Sequence, residues 1–132
     1  MPLLRIAGIL LSISLLLPPG PVRAAQVRNI SADQARKIIA TMHDLFLLDV
    51  RTPQEYAEVR LDGARLIPIN DLITRIAEVP KDRPILVYCA VGSRSSRVAD
   101  YLARSGYPDV YNLIGGIWAW QLRGYPVLKG RP

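Results

Sequence analysis

Short apolar runs alternate with amphipathic stretches along most of the chain. Two of these runs, Leu45 to Leu48 and Ile85 to Tyr88, contain no charged residue and are typical of strands buried on both faces of a sheet. Other apolar segments adjoin turn residues such as Asp62-Gly63 and Gly115-Gly116. The pattern therefore predicts short strands at residues 27–30, 45–48, 64–68, 85–88 and 110–113.

Signals for the start of a helix lie between the predicted strands. Ser31 with Gln34, and Thr52 with Glu55, form the capping-box pattern, in which each side chain bonds the backbone N–H of the other residue. Pro53 follows Thr52 at the first helical position, where proline is favoured. Further helices are predicted over 95–105, over 117–123, and after an Asn70 cap with Leu72, Ile73, Ile76 and Ala77 facing inward.

The alternation of strands and helices with short connections determines the expected fold class. It predicts an open, mostly parallel α/β sheet of four to five strands with helices on both faces. Right-handed crossovers bring the carboxyl ends of parallel strands to one edge of such a sheet. Because ligand sites in open α/β sheets lie at this edge, we expect the chemistry there.

The first 24 residues have the order of a secretory signal peptide. Arg5 precedes an apolar run from Ile6 to Leu17, and the Pro18 to Pro21 segment ends any helix. Val22-Arg23-Ala24 then places small residues three positions and one position before a cut at Ala24/Ala25. An uncleaved membrane anchor is the alternative, although the run is shorter than the about 18–20 residues of a membrane span. We predict a cleaved signal over 1–24, a mature domain over 25–132 without a stable membrane span, and export to the periplasm.

Charge and composition narrow the range of partners. The chain has 17 Lys and Arg against 11 Asp and Glu, a net charge of +6. Loss of Arg5 and Arg23 with the signal would leave 15 basic residues without a basic run, so no nucleic-acid partner is predicted. The single cysteine excludes a disulfide framework and a multi-cysteine metal site, and the single histidine leaves little room for histidine-based catalysis. No cofactor and no metal are predicted.

The single cysteine, Cys89, directly follows the predicted strand 85–88. The loop Ala90 to Arg94 then leads to Ser95, which is predicted to open the next helix. A strand, loop and helix of this length curl backbone N–H groups into a nest that binds anions. The helix dipole and Arg94 favour the thiolate over the thiol. A buried structural cysteine is the alternative, but the position of Cys89 favours a nucleophile.

Three motifs occur in order along the mature chain. They are Leu48 to Arg51 followed by Glu55-Tyr56, the loop Val87 to Ser95, and the segment Leu113 to Trp120 that leads to Gly124 to Val127. In this order and at this spacing they resemble the single-domain rhodanese family of sulfurtransferases, over residues 30–127. The resemblance implies a rhodanese-like α/β fold and a sulfur-transfer activity.

The resemblance also implies roles for particular residues. Cys89 would accept a sulfane sulfur from a small anionic donor such as thiosulfate, form a persulfide, and pass the sulfur to cyanide or a thiol, including a cysteine of a partner protein. Asp49 and Arg51 are predicted to support the site for a separate reason, since Asp49 ends a buried strand at the functional edge and could pair with Arg51 or bond the cysteine loop; a structural ion pair or helix cap is the alternative. The donor would be bound through loop amides and side chains of Ala90, Val91, Gly92, Ser93, Arg94 and Ser95.

Other functions on the same fold are alternatives. A cysteine-based phosphatase has the spacing Cys-x5-Arg, one residue larger than the Cys-x4-Arg from Cys89 to Arg94. Ala90 stands where the family often has arginine, which leaves a non-enzymatic binding or sulfur-sensing module as a second alternative. Val59 and Arg60 likewise replace the Gly-His of the family pattern.

Overall fold

A parallel sheet forms the centre of the molecule, for which a computed structural model describes residues 25–132. The predicted signal segment 1–24 lies outside the described residues. The strands are β1 (Val27–Ile30), β2 (Phe46–Asp49), β3 (Arg65–Leu66), β4 (Ile85–Tyr88) and β5 (Val110–Leu113). They lie in the order β1-β5-β4-β2-β3, and all neighbours are parallel. The predicted open parallel α/β sheet is confirmed.

Helices connect the strands and cover both faces of the sheet. They are α1 (Ala32–Thr41), α2 (Pro53–Glu58), α3 (Ser93–Arg104) and α4 (Gly116–Leu122). Both predicted capping boxes are present, because the hydroxyls of Ser31 and Thr52 accept the N–H groups of Gln34 and Glu55. Within residues 25–132, no helix is long and apolar enough to cross a membrane.

The central strands are buried on both faces because successive side chains point to opposite sides. Ile85 and Val87 of β4 pack into a cluster with the apolar side of α3, which includes Val98 and Leu102. Leu86 and Tyr88 face the opposite cluster, which contains side chains of α1 and α4 such as Ala35, Ile117 and Trp120. The all-apolar strand β4 is thus covered on both faces, as parallel strands usually are. Its carboxyl end, which leads to Cys89, lies at the edge of the sheet between the two covering layers.

The segment predicted as a helix after Asn70 folds differently. It forms two short 3₁₀ helices, Ile69–Asp71 and Ile76–Glu78. Leu72 is buried, but the side chain of Ile73, predicted to face inward, is 70% exposed. Leu72 and Val79 are buried in the core and Ile69 and Ile76 pack against it, so the two short turns bury the same stripe that a continuous helix would present.

The bounds of several elements differ slightly from those predicted. Helix α3 begins at Ser93, two residues before the predicted start at Ser95, because Gly92 takes the N-cap position with a left-handed φ of 103°. Helix α4 begins at Gly116, one residue early, and β3 is reduced to two residues. The cysteine loop is therefore shorter than expected, with only three residues between Cys89 and the first residue of α3.

Candidate active site

The cysteine loop lies at the carboxyl edge of the sheet, between the ends of β2 and β5. Cys89 follows β4 directly, and Ser93 opens α3. The backbone N–H of Val50, at the end of β2, donates to the carbonyl of Tyr88 at 3.2 Å. On the other side, the loop touches the glycine turn after β5. The topology thus brings the three motifs of the sequence to one place.

Hydrogen-bond donors surround the sulfur of Cys89. The backbone N–H of Gly92 donates to Sγ at 3.1 Å. Ser95 is buried beside the thiol, and its hydroxyl also lies 3.2 Å from the carbonyl oxygen of Gly92. Cys89 is buried, but the N–H bond from Gly92 to its sulfur and the neighbouring hydroxyl of Ser95 distinguish it from a structural cysteine with only apolar neighbours.

These donors change the acidity of the thiol. Burial alone would raise the pKa of Cys89, because it disfavours the charged form. Hydrogen bonds from the hydroxyl and the N–H of Ser95 and from the N–H groups of Gly92 and Val91 outweigh burial, so that the pKa lies below its ordinary value. The loop therefore favours a thiolate, which is the nucleophilic form of cysteine.

The first turn of α4 is hydrogen-bonded to the cysteine loop. The N–H of Ile117 donates to the carbonyl of Cys89 at 2.9 Å, and the N–H of Trp118 donates to the carbonyl of Ala90 at 3.1 Å. These bonds turn the first two loop carbonyls toward α4. With the carbonyls fixed on this side, the N–H of Gly92 is free to donate to the sulfur.

Close contact between the loop and α4 requires glycine at position 116. Its φ is 59°, and an added Cβ would lie 2.4 Å from the carbonyl oxygen of Cys89 and 2.5 Å from that of Ala90. The sequence indicated a tight turn at Gly115-Gly116 but not this contact. The glycine pair is the only local signal, and it does not name the partner segment.

Asp49 and Arg51 form a buried ion pair at the end of β2. The Arg51 Nη2 atom lies 2.7 Å from Asp49 Oδ2, and Nε donates to the same carboxylate. Arg51 Nη2 also donates to the carbonyl of Val59 at 2.6 Å, and its guanidinium lies 5.5 Å from the ring centre of Tyr88. Of the two roles considered for Asp49, the structure shows pairing with Arg51. The pair fixes the α2 segment against the strand that carries Cys89.

Arg94 has a partner that the sequence did not indicate. Its guanidinium binds the carboxylate of Glu55 in α2 through two bonds, Nη1 to Oε2 at 2.9 Å and Nη2 to Oε1 at 2.7 Å. The bond with Arg94 is the main cause that lowers the pKa of Glu55 to about 2. Glu55 also accepts the N–H of Thr52 in the capping box, so the cap of α2 orients the carboxylate toward Arg94.

The other residues predicted to bind the donor lie around the thiol. Val91 and Ser93 are exposed, whereas Ala90 and Gly92 are half-buried. Trp118, in the first turn of α4, is 61% exposed, while Trp120 is buried. No group of His, Cys, Asp and Glu side chains suited to a metal ion occurs among the described residues.

Most of the chain is similar in sequence to known proteins. The family model for the rhodanese-like domain matches residues 31–123. A sulfurtransferase of Allochromatium vinosum is 37% identical over 102 residues, covering 77% of this chain and 95% of the relative. The thiosulfate sulfurtransferase GlpE of Pseudomonas paraeruginosa is 33% identical over 94 residues, covering 71% of this chain and 84% of the relative.

A solved structure extends the similarity to three dimensions. The crystal structure of a rhodanese-related protein from Thermoplasma volcanium aligns with a TM-score of 0.70 at 32% identity. The alignment covers 76% of this chain and 97% of that chain. The fold therefore has a close parallel in a solved structure.

Proposed function

The chain belongs to the rhodanese-like domain family, and on this basis we propose that it is a sulfurtransferase that carries sulfur as a persulfide on Cys89. The sulfurtransferase names of its relatives support this class of activity. The observation that carries the proposal is the set of loop donors around the Cys89 sulfur, which lowers the pKa of the thiol.

The loading step follows from a thiolate placed in a nest of N–H groups. The Cys89 thiolate attacks the outer sulfur of a donor such as thiosulfate, a new S–S bond forms, and the S–S bond of the donor breaks. With thiosulfate, sulfite leaves with the bonding electron pair, and total charge is conserved. The product is a persulfide whose terminal sulfur carries the negative charge.

The loop then stabilises the persulfide as an oxyanion hole stabilises an oxyanion. The N–H of Gly92 bonds the sulfur in the resting state at 3.1 Å, and the N–H groups of the loop are suited to bond the terminal sulfur once it is loaded. These bonds need no rearrangement, because the donors are fixed by α3 and α4. Sulfur transfer also needs no histidine, since the thiolate forms without a general base.

The second step requires an acceptor from outside the chain. Cys89 is the only cysteine in the sequence, so an internal disulfide cannot release the sulfur. Cyanide would attack the terminal sulfur and leave as thiocyanate, and an external thiol, including a cysteine of a partner protein, would accept the sulfur as a new persulfide. The thiolate of Cys89 is regenerated in both cases.

We also propose that the protein acts after export. The order of charge, apolar run and cut site over residues 1–24 supports a secretory signal. Mass measurement of the protein recovered from the periplasm tests this. A mature chain beginning at Ala25 is expected, and recovery of the full-length chain from the cytoplasm alone would contradict it.

The activity itself is tested with thiosulfate and cyanide. Wild type is expected to release thiocyanate and to gain about 32 Da, one sulfur atom, on Cys89. Cys89→Ser should lose both signals, whereas the control Ser96→Ala, one residue beyond the loop donors, should keep them. Equal thiocyanate release by wild type and Cys89→Ser would refute the proposal. Binding of sulfur donors without any mass gain would instead indicate the sensing module.

A further inference from the structure

The arginines beside the cysteine loop are already bound to carboxylates. Arg94 uses both terminal nitrogens on Glu55, with distances of 2.7 and 2.9 Å. Arg51 is buried and bonded to Asp49 at 2.7 Å. Ala90, the first loop residue, adds no charge. A donor at the loop therefore meets neutral N–H groups and two arginines whose charge is balanced by a carboxylate each.

Large apolar side chains are exposed on the segments that touch the loop. Val91 is 54% exposed, Ile114 is 54% exposed and Trp118 is 61% exposed. Val91 belongs to the loop itself, the backbone of Trp118 is bonded to Ala90, and the turn that follows Ile114 packs against Gly92. We refer to these three side chains, Val91, Ile114 and Trp118, as the apolar rim.

Granting the sulfur transfer proposed above, we infer that the donor is an organic persulfide, R–S–SH, with an apolar substituent R, and that Glu55 selects against dianionic donors. Binding at the loop removes part of the hydration shell of a thiosulfate dianion, which costs free energy. Neither Arg94 nor Arg51 offsets this cost, because the charge of each is already balanced by a carboxylate. A persulfide carries at most one negative charge. Its substituent R can lie against the apolar rim and remove apolar surface from water.

Another arginine on α3 does not supply the missing charge. Arg97 lies one helical turn beyond the loop and lines a separate surface cavity with Ile73 and Tyr101. That cavity lies on the side of α3 that faces the 3₁₀ segment. The selection against dianions therefore depends on the Arg94–Glu55 pair.

The loading step balances with this donor. The Cys89 thiolate attacks the outer sulfur of R–S–SH, the S–S bond of the donor breaks, and the bonding pair leaves on R–S⁻. The proton of the transferred sulfur then moves to the leaving thiolate. The products are the Cys89 persulfide anion and R–SH, and no oxidant or reductant is consumed.

The effect of charge is tested with two donors that differ in charge, thiosulfate and methanethiosulfonate. Glu55→Gln keeps an oxygen for the cap of α2 but releases the charge of Arg94. We expect kcat/KM to rise about tenfold for the dianion and about threefold for the monoanion, because the Coulomb energy is proportional to the charge of the donor. The control Glu58→Gln, at the exposed end of the same helix, should change neither.

A second variant adds a cation without disturbing the ion pair. Ala90→Lys should raise kcat/KM for thiosulfate more than for methanethiosulfonate, and both gains should shrink as the salt concentration rises. An unchanged or lower thiosulfate rate in both Glu55→Gln and Ala90→Lys would overturn the role given to charge.

The apolar rim is tested with benzenethiosulfonate and methanethiosulfonate, which carry the same charge. The ratio of their kcat/KM values should fall about fivefold in Trp118→Ala, because an apolar contact of about 1 kcal/mol is lost. Leu122→Ala is the matched control, since Leu122 is 73% exposed on the same helix. The inference is overturned if both variants change the ratio equally or if neither changes it.

The persulfide can come from a small thiol or from a protein cysteine, and two probes separate these sources. Benzyl persulfide and a cysteine persulfide within a short apolar peptide are compared with thiosulfate by the mass gain on Cys89. Faster loading from benzyl persulfide supports a small-molecule donor, and faster loading from the peptide supports a protein donor. If thiosulfate loads faster than both, the inference fails while the proposed function stands. If no donor loads Cys89, the proposed function fails as well.

Discussion

The contact between Gly116 and the cysteine loop allows a quantitative prediction for Gly116→Ala. The added Cβ would lie 2.4 Å from the carbonyl oxygen of Cys89. An ordinary contact needs about 3.5 Å, so the loop and α4 must separate by about 1 Å. The separation breaks or weakens the bonds from Ile117 to Cys89 and from Trp118 to Ala90.

The expected loss of stability has two parts. A left-handed conformation costs an alanine about 1–2 kcal/mol, and each lost hydrogen bond costs about 1 kcal/mol. Gly116→Ala should therefore lower the free energy of unfolding by about 3–4 kcal/mol. The matched control is Gly63→Ala, because Gly63 has a φ of 77° but nothing within 4 Å of an added Cβ. This control should lose only the conformational part.

The same displacement should affect sulfur transfer. A misplacement of about 1 Å in a catalytic group can lower a rate about 100-fold, so the rate of persulfide formation on Cys89 should fall by about this factor in Gly116→Ala. Urea unfolding gives the stability, and time-resolved mass spectrometry gives the rate of loading. If Gly116→Ala and Gly63→Ala lose equal stability and load at equal rates, the contact with α4 does not position the loop.

Further predictions concern the polar groups of the site. Ser95→Ala should raise the pKa of the thiol and shift the pH–rate profile of loading to higher pH, whereas Ser96→Ala should leave the profile in place. The pKa of Glu55 is lowered from 4.5 to about 2, so its pair with Arg94 should add about 1–2 kcal/mol of stability above about pH 4.5 and lose it as the pH falls toward 2. The difference between wild type and Glu55→Gln in urea unfolding should shrink over this range, and a constant difference would contradict it. Asp49→Ala should lower the free energy of unfolding by about 3–5 kcal/mol, since it leaves a buried guanidinium unpaired; a loss below 1 kcal/mol in urea unfolding would show that water replaces the carboxylate.

Local patterns were sufficient to predict most of the fold. Strand β4 was predicted at its observed bounds because four apolar residues between turn signals fit a strand buried on both faces. Both capping boxes were predicted because their residues lie three positions apart. The segment after Asn70 was mispredicted since its short turns are fixed by contacts with the core, which the local pattern does not contain.

The nucleophile and its loop were predicted from the sequence, but the contacts that hold the loop in place were not. Cys89 and its loop could be placed because they are contiguous and follow a recognisable strand. The Arg94–Glu55 pair joins residues 39 positions apart, and the contact between Gly116 and the cysteine loop joins segments that follow two different strands. Such contacts depend on the positions and orientations of α2 and α4 at the edge of the sheet. Local patterns in a single sequence predict the helices and strands but not how these pack against one another.

The burial of Cys89 affects how the protein would handle its cargo. The resting thiol has no exposed surface, so a donor must present its outer sulfur at the loop before Sγ can attack it. Once loaded, the reactive atom stands one S–S bond, about 2.05 Å, beyond Sγ. The persulfide thus lengthens the side chain by one atom, and an acceptor needs to approach only the outer sulfur and not the buried Sγ.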